Sequence, residues 1–154
     1  MKKILLIIFV LIFFQNCGYT PLYGGKQKVD FYIAKISFND ENYDLSNFVK
    51  TNLNNYLKEN EGKKFDITGD ISYAKNSVSK DSEGNTVEYE LSCSVKFIIV
   101  YDKLEKVIII NEKFKMKNFN DEFEERRYER SIKQNIARSV TSKLLFQLSK
   151  FDAV

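Results

Sequence analysis

Histidine and tryptophan are absent from this 154-residue sequence, which also contains only one proline and two cysteines. The lack of histidine removes the commonest general base and metal ligand, and with them any Ser-His or Cys-His catalytic pair. Two cysteines cannot build the disulfide framework of a small secreted scaffold. The sequence also shows no Gly-rich phosphate-binding loop, acidic metal cluster or internal repeat. We therefore expect a protein that is not an enzyme and uses no cofactor.

Neither the charge nor the composition indicates a nucleic-acid-binding or disordered protein. The formal net charge is +3, and Lys2 and Lys3 supply two of these positive charges at the N-terminus. A nucleic-acid-binding domain usually concentrates many more basic residues on one face. With 44% hydrophobic residues, 13 phenylalanines and 9 tyrosines, the chain can fill a core of its own. Its length predicts a single folded domain, residues 29–154.

The N-terminal segment has the pattern of an export signal. Lys2 and Lys3 precede an uninterrupted apolar run from Ile4 to Phe14, and the first cysteine, Cys17, follows shortly after it. A helix of this length reaches about 16 Å, roughly half the hydrocarbon thickness of a bilayer, so the run is too short to span a membrane. We predict a signal peptide over residues 1–16. An ordinary signal peptide with an incidental cysteine is the alternative, although no Ala-x-Ala-like cleavage site is present.

The residues that begin with the first cysteine resemble the start of a bacterial lipoprotein. The sequence from Cys17 to Gly24 reads Cys-Gly-Tyr-Thr-Pro-Leu-Tyr-Gly, and it resembles the mature N-terminus of the LPS-assembly lipoprotein family LptE, especially its alphaproteobacterial branch. The resemblance implies that Cys17 becomes the first mature residue and carries diacylglycerol and fatty-acyl chains such as palmitate. Two or three chains hold a protein durably on a membrane. Residues 17–28 would then be the lipidated N-terminus and linker.

This resemblance also implies a fold and a set of partners. The LptE fold consists of two helices packed on one face of a four-stranded sheet. Members of the family are lipid-anchored on the periplasmic side of the outer membrane, where they plug and support the LptD β-barrel that delivers lipopolysaccharide to the outer leaflet. The implied partners are an LptD-like barrel, lipopolysaccharide, and the membrane reached through the N-terminal lipid. No nucleic acid is among them. Gly18, directly after the cysteine, resembles an outer-membrane sorting signal.

Hydrophobic periodicity predicts the same architecture from the residues alone. Apolar residues alternate in four segments and recur at helical spacing in two. The predicted elements are a strand over 29–38, a helix over 44–60, a strand from 65, a strand over 86–101, a strand over 106–118 and a helix over 121–150. Phase slips predict a bulge, or a strand end covered on both faces, at Ala34 and Lys35, and a bulge or twist between Tyr73 and Ser77. We therefore predict an α+β fold of order β-α-β-β-β-α, with both helices on one face of a mainly antiparallel sheet.

Four apolar residues fall on the predicted sheet face that should be polar. A turn from Asp102 to Glu105 would pair Tyr101 with Lys106, and the rest of the register follows. The face away from the helices should be polar, but near the turn it carries Ile98, Val100, Val107 and Ile109. A contiguous exposed apolar surface marks a protein contact, so these four residues are a candidate partner-facing patch. The alternative is that the second helix, or the segment from Tyr19 to Tyr23, covers them.

Basic residues of the last helix are the candidate contact for an anion such as lipopolysaccharide. The group comprises Arg126, Arg127, Arg130 and Lys133, together with Lys80 in the hairpin loop. If Tyr128 marks the centre of the buried stripe, Arg126, Arg130 and Lys133 point to the opposite side at about 100° per residue. The alternative is that Glu122 and Glu129 neutralise them in ion pairs, as is common on solvated helices. Lysines of the fourth strand are rival candidates, namely Lys113, Lys115 and Lys117.

Two other functions stay open on the sequence alone. A free-standing lipid-binding or transport-accessory lipoprotein would hold an acyl chain on its sheet or in a groove. An enzyme anchored to the envelope would have to use unpaired acids such as Asp66 and Asp70, without a nucleophile and its base. Cys93 lies in an alternating strand pattern, so we expect a buried hydrophobic residue and not a nucleophile.

Overall fold

The computed structural model describes residues 30–39 and 43–151, and the predicted signal peptide, lipidation site and linker lie outside this range. The elements are β1 (Phe31–Phe38), α1 (Tyr43–Leu53), a 3-10 turn (Asn54–Tyr56), β2 (Lys63–Lys80), β3 (Thr86–Tyr101), β4 (Leu104–Lys117) and α2 (Glu122–Ser149). The strands form one mixed sheet in the order β1-β2-β3-β4. β1 is parallel to β2, and the other two pairs are antiparallel. The predicted α+β fold is confirmed.

Both helices pack on the same face of the sheet and share one hydrophobic core with it. β3 shows the alternation most clearly, because every second residue from Leu91 to Ile99 is buried. α1 and α2 complete this core with Leu45, Val49, Leu53, Ile132, Ile136, Ala137, Val140, Leu144 and Leu148. Cys93 is buried among them, as its strand pattern predicts. We call the helix-covered face of the sheet the inner face and the opposite one the outer face.

Side chains that bind the backbone define the ends of the elements. The carboxylate of Asp121 accepts hydrogen bonds from the backbone N–H groups of Phe123 (2.7 Å) and Glu124 (3.3 Å), and so caps α2. At the tip of the β2–β3 hairpin, the Asp81 carboxylate accepts from the N–H of Asn85 (2.8 Å). Gly84 in this tip has φ +88, a conformation that glycine adopts without steric cost.

The strand register agrees with the prediction at one bulge and differs from it elsewhere. β1 shifts register between Ile33 and Lys35, so the first predicted bulge is confirmed. The second is wrong, because β2 pairs with β3 without interruption up to Ser77, and the irregularities lie between Ser77 and Lys80. Alternation therefore continues past Tyr73. It places the Lys75 side chain on the inner face, towards α2.

β3 and β4 pair two residues away from the predicted register. Tyr101 lies opposite Leu104 instead of Lys106, because the turn contains only Asp102 and Lys103. Asp102 takes φ 57, a left-handed conformation that aspartate tolerates better than most residues and that two-residue hairpin turns require. Since side chains alternate with period two, a shift of two changes the partners but leaves each side chain on its predicted face.

α1 is shorter than predicted, and the glycine that follows it has a packing role. The helix ends at Leu53 and passes through a 3-10 turn, whereas we predicted helix to residue 60. Gly62 instead lies against the backbone at the start of β1, where a Cβ would come within 2.5 Å of the Asp30 oxygen and the Phe31 nitrogen. The next residue, Lys63, donates its N–H to the Asp30 carbonyl at 3.0 Å. Gly62 therefore allows β1 and β2 to begin side by side.

Replacing Gly62 by alanine should destabilise the protein because backbone atoms, which cannot rotate away, occupy the space of the new methyl group. We expect Gly62→Ala to lower the free energy of unfolding by about 1–3 kcal/mol, measured by chemical denaturation. The control is Gly84→Asn, because no atom lies within 4 Å of a Cβ there and asparagine tolerates positive φ. An equal effect of the two substitutions would contradict this packing role.

Candidate partner-binding surfaces

The four predicted patch residues lie together on the outer face, near the β3–β4 turn. Ile98 is directly opposite Val107, Val100 follows two residues along β3, and Ile109 follows two residues along β4. Val100 is 38% exposed, Val107 48% and Ile109 61%, whereas Ile98 is half-buried. Neither α1 nor α2 covers them, since both helices pack on the inner face. We call these four residues the outer-face patch, and a partner contact there stays a prediction.

Charged and polar residues surround the outer-face patch. On β2, Asp66 lies opposite Val100, and across β3 and β4, Lys96 lies opposite Ile109. Towards the hairpin tip the outer face becomes a ladder of ion pairs, with Lys113 on Glu90 at 2.9 Å. An apolar centre with a polar rim is the usual anatomy of a protein interface. The outer face thus divides along its length into an apolar end and a charged end.

The predicted basic residues of α2 have different surroundings, although Arg126, Arg130 and Lys133 point within about 60° of one another at 100° per residue. Arg126 pairs with Glu122 in the first turns, whereas the Lys133 ammonium lies over the Tyr73 ring and pairs with Glu129 at 3.1 Å. The Arg130 guanidinium lies over the Phe48 ring of α1, 5.5 Å from its centroid. Arg127 is exposed on the helix, and Lys80 is exposed at the far end of β2.

The buried stripe of α2 has a different phase from the one predicted with Tyr128 at its centre. Tyr128, taken as its centre, is 46% exposed, and its ring packs against Phe119 at an interplanar angle of 51°. The continuously buried part begins at Ile132. Glu125 and Glu129, which precede Ile136 by 11 and 7 residues, point within about 20° of its direction at 100° per residue. The inner surface of α2 therefore becomes acidic at its N-terminal end.

A polar cluster continues the core where the acidic part of α2 meets β2. The Lys75 ammonium donates to Glu125 at 2.5 Å and to Glu129 at 3.1 Å, and it lies 4.5 Å from the centroid of the Tyr89 ring. The Tyr73 hydroxyl donates to the other oxygen of Glu129 at 2.9 Å. Sequence analysis missed this cluster. Its signals were the unbroken alternation Ile71, Tyr73, Lys75 and the acids in phase with Ile136.

Hydrogen bonds within this cluster shift the pKa values of Lys75, Glu125 and Glu129 in the directions that keep these groups charged. Hydrogen bonding by Lys75 lowers the pKa of Glu125. Burial opposes the ionisation of Glu129, but hydrogen bonds from Tyr73, Lys75 and Lys133 outweigh it and lower the pKa of Glu129. Burial also acts against the charge of Lys75, yet the two glutamates raise its pKa. For Tyr73, burial and the hydrogen bond to Glu129 raise the pKa, so the phenol stays protonated. These groups form a structural ion pair network rather than an acid and base poised for catalysis.

A groove of about 500 Å³ separates the exposed edge of β4 from α2. Its walls include Ile109, Asn111, Ser139, Lys143 and Phe146. The Glu112 side chain projects inward beside the groove. Its carboxylate accepts a hydrogen bond from Ser139 Oγ at 2.6 Å and forms an ion pair with Lys143 Nζ at 2.8 Å, and both partners lie on α2. Two donors from α2 thus satisfy this inward-facing carboxylate.

The described part of the chain offers neither a metal site nor a spanning helix. Within residues 30–39 and 43–151, no group of His, Cys, Asp or Glu is placed to hold a metal ion. No described helix is both long enough and apolar enough to cross a bilayer. The candidate functional features of this part are therefore surfaces: the outer-face patch, the edge of β4 with its groove, and the scattered basic residues.

Removing Lys75 should destabilise the protein in a pH-dependent manner. Because the pKa values of Glu125 and Glu129 are lowered from 4.5, their contribution is present above about pH 4.5 and is lost as the pH falls through the folded-state values. We expect Lys75→Met to cost about 1–2 kcal/mol of unfolding free energy at pH 7. The difference from the wild type should shrink towards pH 3.

The control for this experiment is Lys113→Met on the outer face. Lys113 also pairs with a glutamate, but its side chain is 69% exposed, and exposed pairs contribute roughly 0–1 kcal/mol. Denaturation curves at neutral and acidic pH compare the two variants. A difference between wild type and Lys75→Met that stays constant from pH 7 to pH 3 would show that the glutamates do not depend on Lys75.

Comparison with known proteins identifies the fold. No family model matches the chain, and no curated protein matches its sequence. Among solved structures, rare lipoprotein B from Shewanella oneidensis is 16% identical, and the match covers 75% of this chain and 97% of that one with a TM-score of 0.52. A minor lipoprotein from Acinetobacter baumannii is also 16% identical, with 73% and 93% covered and a TM-score of 0.51. An uncharacterized lipoprotein B from Nitrosomonas europaea is 12% identical, with 82% and 90% covered and a TM-score of 0.52. The chain therefore has the fold of these bacterial lipoproteins.

Proposed function

We propose that this chain is an outer-membrane lipoprotein, similar to LptE, that faces the periplasm and acts as plug and assembly partner of an LptD-like barrel in lipopolysaccharide delivery. The agreement of two independent observations supports the proposal. The segment from Cys17 to Gly24 resembles the mature start of the LptE family, and residues 30–151 have a fold shared with solved bacterial lipoproteins. The two observations come from different parts of the chain and neither depends on the other.

The proposed work of this protein is binding and not catalysis. The acids that the structure draws inward are engaged in ion pairs, as Glu129 is with Lys75 and Glu112 is with Lys143. The inward-facing thiol, Cys93, is part of the hydrophobic core. A catalytic site needs a reactive group beside its base and an accessible space for a substrate. The open surfaces of the described chain instead suit contact with another macromolecule.

The outer-face patch supplies the surface for the barrel in this proposal. Its exposed members, Val100, Val107 and Ile109, form an apolar area on an otherwise polar face. Burying such side chains contributes about 25 cal/mol per Å² of apolar surface removed from water. The surrounding charges, such as Asp66 and Lys96, would fix orientation more than affinity.

Direct contact with lipopolysaccharide is a second part of the proposal. Among the described residues, Arg127 and Lys80 have no ion-pair partner, so their charges are available to phosphate or carboxylate groups. They lie on different elements and would contact the glycolipid separately. The alternative of a free-standing lipid-binding lipoprotein has less support. The groove beside β4 is lined partly by Asn111, Ser139 and Lys143, which do not suit an acyl chain.

Replacing the predicted lipidated cysteine tests the membrane attachment. We expect Cys17→Ser either to release the protein from membranes or to leave an uncleaved precursor, because serine lacks the thiol that receives the diacylglycerol. Membrane fractionation and intact-mass measurement distinguish these outcomes from the wild type. Cys93→Ser is the control, since Cys93 is buried in β3. A Cys17→Ser protein that stays membrane-bound and is cut at another residue would contradict lipidation at Cys17.

Co-purification with an outer-membrane barrel tests the assembly role. We expect a tagged wild-type chain, extracted in mild detergent, to bring down a large β-barrel protein. The double variant Val107→Ser with Ile109→Ser should recover several-fold less barrel because it removes exposed apolar surface from the outer-face patch. Its folding should be nearly unchanged, since exposed substitutions usually cost less than about 0.5 kcal/mol.

The matched control is Val78→Ser with Val87→Ser in the β2–β3 hairpin. These valines are 48% and 43% exposed, comparable to the 48% of Val107, but they lie at the opposite end of the sheet. Equal losses in both variants would show that apolar exposure in general, and not the outer-face patch, determines recovery. If no barrel co-purifies with the wild type, the proposed function is wrong.

A further inference from the structure

One edge of the sheet is protected against pairing with another strand, and the other edge is not. β1, at the first edge, is only eight residues long and is interrupted by the bulge between Ile33 and Lys35. Short strands and bulges are devices that prevent a sheet edge from pairing with another chain. β4, at the second edge, is 14 residues long and pairs with β3 without a register shift. The described chain therefore presents one regular edge.

A four-residue stretch of the β4 edge lacks protective charges. From Lys113 to Lys117, alternate residues are lysines, which discourage edge pairing. From Val107 to Ile110, four successive residues are apolar, and no proline interrupts them. Within the described residues, no backbone hydrogen bond from 104–117 goes to any element except β3. A long apolar edge with free N–H and C=O groups is a template for another strand.

We propose that β4 pairs with β4 of a second copy of this chain, antiparallel and centred on Ile109. The sequence of β4 is self-complementary in this register. Ile109 meets its own counterpart, Ile108 meets Ile110, Lys106 meets Glu112 and Glu105 meets Lys113. Directly opposite residues lie on the same face of an antiparallel pair, so both charge pairs are in contact range. By symmetry each pair occurs twice.

Neighbouring registers have fewer opposite-charge pairs. Only registers that keep the inner faces together are allowed, and moving the centre of the pair by one residue shifts the pairing by two and so keeps the faces. Centring the pair on Ile108 places Lys106 opposite Ile110 and removes both charge pairs. Centring it on Ile110 keeps one opposite-charge pair, Glu105 with Lys115, but places Val107 opposite Lys113. Opposite charges directly across a pair stabilise it, and a charge opposite an aliphatic residue does not. Charge pattern therefore selects the register centred on Ile109.

Two exposed hydrophobic residues lie where the two copies would meet. Ile109, on the proposed two-fold axis, is 61% exposed, and Phe146 of α2, which lines the same groove, is 55% exposed. Within each copy Lys106 lies over the Phe151 ring, and Lys113 pairs with Glu90. Glu105 is exposed and forms no ion pair with a described residue. Pairing would therefore give Glu105 a partner. This self-association does not rest on the proposed function.

Disulfide trapping of the full chain in membranes tests the register directly. Two strands centred on Ile109 hold its two Cβ atoms about 4.5–5.5 Å apart, near the range that a disulfide closes. The two Val107 side chains would instead be offset by four residues, about 13 Å along the strand. With a mild oxidant, we expect Ile109→Cys to form at least about tenfold more covalent dimer than Val107→Cys. Val100→Cys, on the same face but one strand inside, should form none.

Charge reversal provides an independent measurement on the Ile109→Cys background. Glu105→Lys or Lys113→Glu alone should reduce the dimer several-fold, and the two together should restore it because the pairs are re-formed with opposite sign. Equal crosslinking at 100, 107 and 109 would indicate random collision and overturn the inference. Failure of Ile109→Cys to crosslink, crosslinking to a different protein, or no rescue by the double reversal would overturn it as well. A barrel that fails to co-purify while Ile109→Cys still dimerises would refute the proposed function alone.

Discussion

Two helices can cover only one face of a four-stranded sheet, and most properties of this molecule follow from that limit. The inner face closes a core in which the strands contribute every second residue. The outer face and the β4 edge then have no helix or strand of the described chain to cover them. Apolar residues at such positions cannot contribute to the core. Val107 and Ile109 therefore lie on surfaces that the described chain leaves open, as both proposals require.

Sequence patterns predicted the sheet faces better than the strand partners. Alternation in β3 and β4 assigns each side chain to a face, and every pairing register that differs by two residues gives the same assignment. The correct register depends on the length of the turn. The turn contains only Asp102 and Lys103, and not the four residues to Glu105, because Asp102 takes a left-handed φ. Hydrophobic periodicity gives no information about this angle. The outer-face patch could be predicted for this reason, although its cross-strand pairs could not.

Tyr128 is the wrong marker for the buried side of α2, and the cause is geometric. The buried residues of α2 recur every four positions from Ile132 to Leu148, and four residues turn a helix by about 400°, so the series rotates by about 40° at each step. Tyr128 precedes this series and lies about 80° from the direction of Ile136, which Glu125 and Glu129 share instead. Partly buried acids contradict simple hydrophobic patterning, and Lys75 on the facing strand compensates both of them, with Tyr73 and Lys133 as further donors to Glu129.

The position at which the chain enters the fold relates the outer-face patch to the proposed membrane anchor. β1 begins at Phe31 beside Lys63, at the end of the sheet where Val100 lies opposite Asp66. The patch and the entry point therefore share one end, and the β2–β3 tip lies at the other. β2 spans 18 residues, which extend to about 56 Å, whereas the segment 17–29 can reach at most about 45 Å. An upright domain anchored at Cys17 could not place its hairpin tip on the same membrane. If the chain is anchored at Cys17 as proposed, the apolar end of the outer face would lie nearer to the bilayer than the charged ladder does.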